Sequence, residues 1–118
     1  MNGPLSEKAR KFSVRIYRLA KYLESKKENV IAKQMLRSGT SIRANIAESE
    51  FSVSRADFVN KLQIARKEAK ETQSWIELLF DVEIISKTEY GSLLFDLEEL
   101  QKMLTKSVLT SKSNATAD

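Results

Sequence analysis

Cysteine and histidine are both absent from this chain, and glycine and proline are scarce, with 3 Gly and 1 Pro in 118 residues. Without cysteine there is neither a disulfide framework nor thiolate chemistry. Without histidine the chain lacks the commonest general base and the commonest transition-metal ligand. Sheet proteins need turn residues at short, regular intervals, so the shortage of Gly and Pro favours long helices instead.

Long apolar runs are also missing. No segment approaches the roughly 18 consecutive apolar residues that a bilayer span requires, so we expect no membrane partner. The N-terminal sequence MNGPLSEKARKF lacks the apolar region of a secretory signal. We therefore expect a cytoplasmic protein.

The spacing of apolar residues predicts four helices, at about 6–25, 30–49, 54–85 and 87–109. The first helix places six apolar residues on one arc, as a core-facing helix should: Ala9, Phe12, Ile16, Leu19, Ala20 and Leu23. Four helices with short connections predict an all-α, antiparallel up-down-up-down four-helix bundle over residues 1–109. The small polar residues 110–118 are interpreted as a disordered tail.

Local capping signals support these helix starts. Ser54 with Asp57, and Ser86 with Glu89, have the spacing of a capping box, and Asn29 is a candidate N-cap for the second helix.

Residues 37–48, RSGTSIRANIAE, place polar atoms on a face that has helical periodicity. Buried polar atoms need partners, because each unpaired group costs roughly 1–3 kcal/mol. We predict a structural polar network between the second and third helices, made by Arg37, Ser38, Thr40, Ser41, Asn45, Glu48, Lys67, Glu68, Glu71 and Thr72. Gly39 marks either a kink or a point where another helix comes close.

The same residues offer little for catalysis. Glu48, Glu68 and Glu71 are candidate metal ligands, but the histidine of a di-iron motif is missing, so pairing with Arg and Lys is the favoured interpretation. The hydroxyls of residues 38, 40 and 41 would need an activating base, and hydrogen bonds to helix carbonyls explain them better. We expect a protein that is not an enzyme and that has no catalytic residues, metal or cofactor.

Positive charge is concentrated at the start of the chain, where residues 1–28 hold 8 Lys and Arg against 3 Asp and Glu. The predicted nucleic-acid contacts are Lys8, Arg10, Lys11, Arg15, Arg18 and Lys21 of the first helix, with Arg43 added although its direction is undecided. Few acidic residues lie on this face of the helix, so a phosphate backbone is one fitting partner. Tyr17 and Tyr22 lie among the cations and are suited to stacking on exposed bases. The alternative is a solvated face that keeps the protein soluble.

A second apolar flank on the third helix suggests self-association. The core face predicted for that helix consists of Phe58, Leu62, Ala65, Ala69, Thr72, Ile76 and Leu79. Four further apolar residues lie well away from that face, namely Ile64, Trp75, Leu78 and Val82. They form either an oligomer interface or one edge of a broad face covered by two neighbouring helices.

A bacterial family of small four-helix-bundle proteins has a signature that this chain resembles. The matching residues are Val30, Ile31, Gln34, the run 37–42, Ala44, Asn45, Ile46 and Glu48, followed by Phe58, Leu62, Ile64, Ala65, Lys67, Glu68, Ala69, Glu71, Thr72 and Trp75. The family comprises proteins encoded in intervening sequences of large-subunit ribosomal RNA genes, and the accessory protein of diversity-generating retroelements is related to it. The resemblance implies a homopentameric barrel of bundles with a positive surface or pore. It also implies that the retroelement relatives bind nucleic acid and a reverse transcriptase.

These observations lead to two hypotheses. The first is a non-catalytic, oligomeric protein that binds RNA or another structured nucleic acid, with RNA as the favoured ligand, through the basic face of the first helix. The second is a protein-interaction scaffold whose basic face docks a polymerase or another nucleoprotein partner.

Overall fold

Four α-helices account for most of the chain in a computed structural model, which describes residues 3–117, with side chains described through residue 113. The helices are α1 (Pro4–Ser25), α2 (Asn29–Ser49), α3 (Arg55–Asp81) and α4 (Lys87–Ala117), and no strand occurs within residues 3–117. The connections 26–28, 50–54 and 82–86 are so short that consecutive helices must run antiparallel.

The four helices pack in a square. α1 contacts α2 and α4, and α3 contacts the same two helices, so that α1 lies diagonally opposite α3. The contact between α1 and α4 is the least extensive of the four. The bundle measures 52 × 22 × 21 Å. The predicted all-α antiparallel four-helix bundle is confirmed.

The core contains the apolar residues that periodicity selects. All six members of the predicted arc on α1 are buried, and Phe12, Ile16 and Leu23 are essentially inaccessible to solvent. Each large apolar side chain buried in this way contributes roughly 1.5–3 kcal/mol to the free energy of folding.

Two of the three predicted caps are present. The Ser54 hydroxyl accepts from the Asp57 amide at 3.1 Å, and the Ser86 hydroxyl accepts from the Glu89 amide at 3.1 Å. The third cap is wrong, because α2 begins at Asn29 itself and Glu28 precedes it without a side-chain cap.

Both α1 and α3 end in a Schellman motif that uses a charged residue where glycine is usual. Lys27 and Glu83 each have φ 64°, in the left-handed region. The amide of Glu28 donates to the Leu23 carbonyl, and the amide of Ile84 donates to the Leu79 carbonyl, both at 2.9 Å. These two tight turns lie at the same end of the bundle.

The observed helix limits correct two predicted boundaries. α3 stops at Asp81 rather than near residue 85, because the left-handed residue 83 turns the chain. α4 continues to Ala117 rather than ending near 109, so that the backbone of 110–117 is helical and not an irregular tail. This stretch contains no Gly or Pro, and extending an existing helix requires no new nucleation. Asp118 lies outside the described residues.

Candidate nucleic-acid interface

The predicted cationic stripe on α1 is partly neutralised by α4. Lys8 Nζ lies 2.9 Å from a carboxylate oxygen of Glu99 and 3.8 Å from one of Asp96. Arg15 Nη1 lies 2.7 Å from the Asp96 carboxylate and also donates to the Ser92 carbonyl at 3.2 Å. The side chains of Lys8, Arg15 and Asp96 are each about two-thirds or more buried. The ion pairs therefore connect α1 to α4, the helix pair with the least extensive contact in the bundle.

The expectation that few acidic residues lie near these cations is therefore wrong at Lys8 and Arg15. It rested on the scarcity of acidic residues on α1 itself. The carboxylates come instead from α4, at sequence separations of 81 and 91 residues. The spacing of Asp96 and Glu99 on one side of α4 is a signal in the sequence, but it has meaning only once α4 is known to lie beside α1.

Three other predicted cations form exposed pairs within α1. Arg10 and Lys11 both approach Glu7, at 3.4 and 3.9 Å, and Lys21 lies 3.3 Å from Glu24. Pairs of this kind in water contribute roughly 0–1 kcal/mol to stability. A phosphate can therefore replace the carboxylate at little cost.

Arg18 and Arg43 are the two predicted contact residues without a carboxylate partner among the side chains of residues 3–113. Arg18 is exposed on the outer surface of α1. Arg43 is exposed at the edge between α1 and α2, where its guanidinium donates to the Ser13 hydroxyl at 3.1 Å. That hydroxyl donates in turn to the Arg10 carbonyl at 2.8 Å. Arg43 thus points outward, with its remaining donors available.

Two tyrosines lie among these cations. Tyr17 is 52% exposed and Tyr22 is 46% exposed. The ammonium of Lys21 lies 5.4 Å from the centre of the Tyr17 ring, and that of Lys26 lies 5.7 Å from the centre of the Tyr22 ring. We call this surface of Tyr17, Arg18, Lys21 and Tyr22 the α1 outer surface.

The predicted polar network lies between α2 and α3. The Arg37 guanidinium donates to Glu68 at 3.1 Å and also to Glu71, whose carboxylate accepts a further bond from the Trp75 indole at 3.2 Å. The hydroxyl oxygens of Ser38 and Thr72 are 2.8 Å apart and fully buried.

Thr40 and Asn45 make bonds within α2 instead, and Glu48 bridges the two helices through a different lysine. Thr40 donates to the Leu36 carbonyl at 2.6 Å, and the Asn45 side chain donates to the Ser41 carbonyl at 2.8 Å. Glu48 accepts from Lys61 at 3.2 Å and not from Lys67. Lys67 is exposed and makes no polar contact among the described side chains. The network is therefore smaller than predicted.

The predicted interface residues lie on the outer side of the α2–α3 pair. Leu78 and Val82 are 42% and 54% exposed, whereas Ile64 and Trp75 are half-buried. Six residues form an apolar surface at the end of the bundle that holds the two Schellman motifs, namely Val30, Ile31, Trp75, Leu78, Val82 and Ile84. We call this surface the α2–α3 apolar patch.

The described residues contain no cluster of three or more acidic side chains placed to hold a metal ion. None of the described helices is both long and apolar enough to cross a bilayer. The Ser38 hydroxyl, the most buried of the candidate nucleophiles, contacts Thr72 and the Met35 carbonyl rather than a base.

Comparisons with known proteins agree with this architecture. The family of 23S rRNA-intervening sequence proteins matches residues 4–106. A crystal structure of a protein of unknown function from the S23 ribosomal protein family of Bacteroides thetaiotaomicron is 50% identical, with a TM-score of 0.86. That alignment covers 88% of this chain and 97% of the other. A search of curated proteins returned no match.

Proposed function

This chain belongs to the family of 23S rRNA-intervening sequence proteins, and from that premise we propose that it is a non-catalytic RNA-binding protein that acts through α1. The observation that carries the proposal is the α1 outer surface, where Arg18, which has no carboxylate partner among the described side chains, lies between two half-exposed tyrosines. Cations attract the phosphate backbone and need no precise geometry, whereas aromatic faces suit bases.

The structure divides the predicted contact residues into two groups. Arg10, Lys11, Arg18, Lys21 and Arg43 are exposed and are proposed to contact phosphates. Lys8 and Arg15 are proposed to hold α1 against α4 instead, because their charges are already satisfied by Asp96 and Glu99. The proposed interface thus excludes the ion pairs between α1 and α4 and lies on the solvent-exposed surface of α1.

Self-association would strengthen such an interface. We propose that the α2–α3 apolar patch, together with the predicted interface residue Ile64, packs against another copy of the chain. The family resemblance implies a homopentamer. Repeating a weak cationic surface around a ring raises the overall affinity by effective concentration, without any new type of contact.

Salt dependence of RNA binding tests the proposal. In gel-shift titrations with a large-subunit ribosomal RNA fragment, we expect the logarithm of affinity to fall linearly with the logarithm of salt concentration. The variant K11A/R18A/R43A should bind about tenfold or more weakly and show a shallower slope, since each lost phosphate contact lowers the slope by about 1.

A matched control removes positive charge elsewhere. Lys67 on α3 and Lys102 and Lys106 on α4 are exposed and have no ion-pair partner among the described side chains. The variant K67A/K102A/K106A, which removes the same number of positive charges, should bind the RNA within about twofold of the parent if the location of the charge matters more than its total. Equal losses in the two variants would show that binding reflects net charge alone, and an unaltered triple variant would refute the assignment to α1.

The scaffold hypothesis makes a different prediction. If the basic face of α1 docks a polymerase or another nucleoprotein partner, the complex should survive nuclease treatment and should weaken in the variant K11A/R18A/R43A. Direct RNA binding predicts instead that any such complex is lost with the RNA.

A further inference from the structure

We infer that the α1 outer surface selects unpaired nucleotides, with Tyr17 and Tyr22 as stacking platforms and Arg18 and Lys21 as phosphate contacts between them. This inference rests on the proposed RNA-binding function and adds the class of RNA that the surface accepts. The tyrosines become binding residues in their own right, beyond the cations that charge distribution identifies.

The placement of the four side chains follows from helix geometry. Tyr22 follows Tyr17 by five positions in the sequence, which corresponds to about 140° around the helix and about 7.5 Å along it. Arg18 and Lys21 fall within that arc, so that two aromatic rings flank two cations on the side of α1 that faces solvent. Arg18 has no carboxylate partner among the described side chains, and Lys21 has only the exposed Glu24.

The exposure of the tyrosines is the second observation. Each ring remains about half-exposed, although α1 has a complete core face on its other side. Each ring also lies next to a lysine ammonium, at 5.4 and 5.7 Å. Exposed cation–π contacts are weaker than base–aromatic stacking, so a base can take the place of the ammonium.

Paired RNA does not fit this surface. In an A-form helix the base faces are stacked on one another, and the deep major groove is too narrow for side chains to read. Tyrosine rings on a convex helix surface can reach base faces only in loops, bulges, ends and single strands. Cations alone would bind paired RNA at least as tightly as unpaired RNA, because a duplex has the higher charge density. A preference for unpaired RNA must therefore come from the tyrosines.

Three probes test the inference by fluorescence anisotropy. The first is a single-stranded RNA about 15 nucleotides long, designed without secondary structure. The second is the same strand annealed to its complement. The third is the same strand with abasic sites at its centre, which keeps the phosphates but removes the bases.

We expect the variant Y17A/Y22A to lose about tenfold or more in affinity for the intact single strand. Its affinity for the duplex and for the abasic strand should change by less than about twofold. The variant Y17F/Y22F keeps both rings and should retain parental affinity for all three probes. As a control, F95A removes an exposed aromatic side chain from α4 and should leave every affinity unchanged.

Two results would overturn the inference alone. In one, Y17A/Y22A binds the intact single strand as the parent does. In the other, it loses affinity equally for all three probes. A parent protein that binds none of the probes would refute the proposed RNA-binding function itself. Circular dichroism of each variant separates loss of binding from loss of the fold.

Discussion

The Cγ2 atom of Ile16 lies 2.6 Å from the position that a Cβ atom on Gly39 would occupy. Ile16 is fully buried in α1, and Gly39 is buried in the middle of α2, so that the two helices approach here as closely as a missing side chain allows. Of the two predicted roles of Gly39, a kink or a close approach, the structure supports the close approach.

Replacing Gly39 by Ala should destabilise the bundle by about 1–2 kcal/mol, because overpacking outweighs the helix propensity that alanine adds. Gly91 provides the matched control, since a Cβ atom at that position would meet nothing within 4 Å beyond the backbone of its own helix. G91A should therefore stabilise α4 by about 0.5–1 kcal/mol. Urea denaturation measures the change in the free energy of unfolding for each of the two variants. In an I16A background the cost of G39A should shrink, and an undiminished cost would contradict the steric explanation.

Glycine at the two Schellman positions should stabilise the protein. Lys27 and Glu83 both adopt φ 64°, a conformation that costs a residue other than glycine roughly 1–2 kcal/mol. Glycine recovers most of that strain but has more unfolded-state entropy, so we expect K27G and E83G each to add about 0.5–1 kcal/mol. The neighbouring Lys26 has φ −96°, and K26G should bring no gain. Thermal melts measure these changes, and we expect higher melting temperatures for K27G and E83G. A lower melting temperature for K27G would argue against strain at this turn.

Removing Arg37 should destabilise the α2–α3 contact by about 2–3 kcal/mol. The Glu68 carboxylate is mostly buried and would lose its charged partner, while that of Glu71 would keep the bond from the Trp75 indole. The double variant R37A/E68Q should recover part of the loss, because the buried charge is then absent. K61A breaks the exposed pair with Glu48 and should cost under about 1 kcal/mol. Equal effects of R37A and K61A in denaturant titrations would contradict this account.

Freeing the two α4-bound cations should strengthen RNA binding. In the variant D96N/E99Q the side chains of Lys8 and Arg15 lose their carboxylates and join the exposed cations of α1. We expect tighter binding at low salt and a salt slope steeper by about 1–2, at a modest cost in stability. Glu98 on α4 and Asp81 on α3 are exposed and make no ion pair among the described side chains, so D81N/E98Q controls for the same change in net charge. Affinity gains of equal size in the two variants would show that position is irrelevant.

Charge placed on the α2–α3 apolar patch should disrupt self-association. Leu78 and Val82 are each about half-exposed, so that L78E/V82E should fold normally yet lower the mass measured by light scattering. F95E places the same charge on an exposed apolar position of α4 and should leave the mass unchanged. A parent protein that elutes as a monomer of 13.5 kDa would refute the proposed oligomer.

The helices and their core faces follow from the sequence alone, because each depends on contacts between residues three or four positions apart. The arc that includes Phe12 and Ile16, and the serine caps of α3 and α4, could therefore be predicted without knowledge of the neighbouring helices. The end of α3 could not be predicted in this way. The chain turns there at Glu83, whose left-handed conformation leaves little trace in composition.

The sequence by itself determined that this protein is a four-helix bundle with a basic first helix and buried polar residues on the second. Only the tertiary structure decided which cations remain available, because the carboxylates facing Lys8 and Arg15 belong to α4 and ion pairing depends on distance in space. The same holds for Gly39, whose role depends on a side chain of α1. Periodicity reports which face of a helix is buried, and packing alone selects the neighbour that covers it.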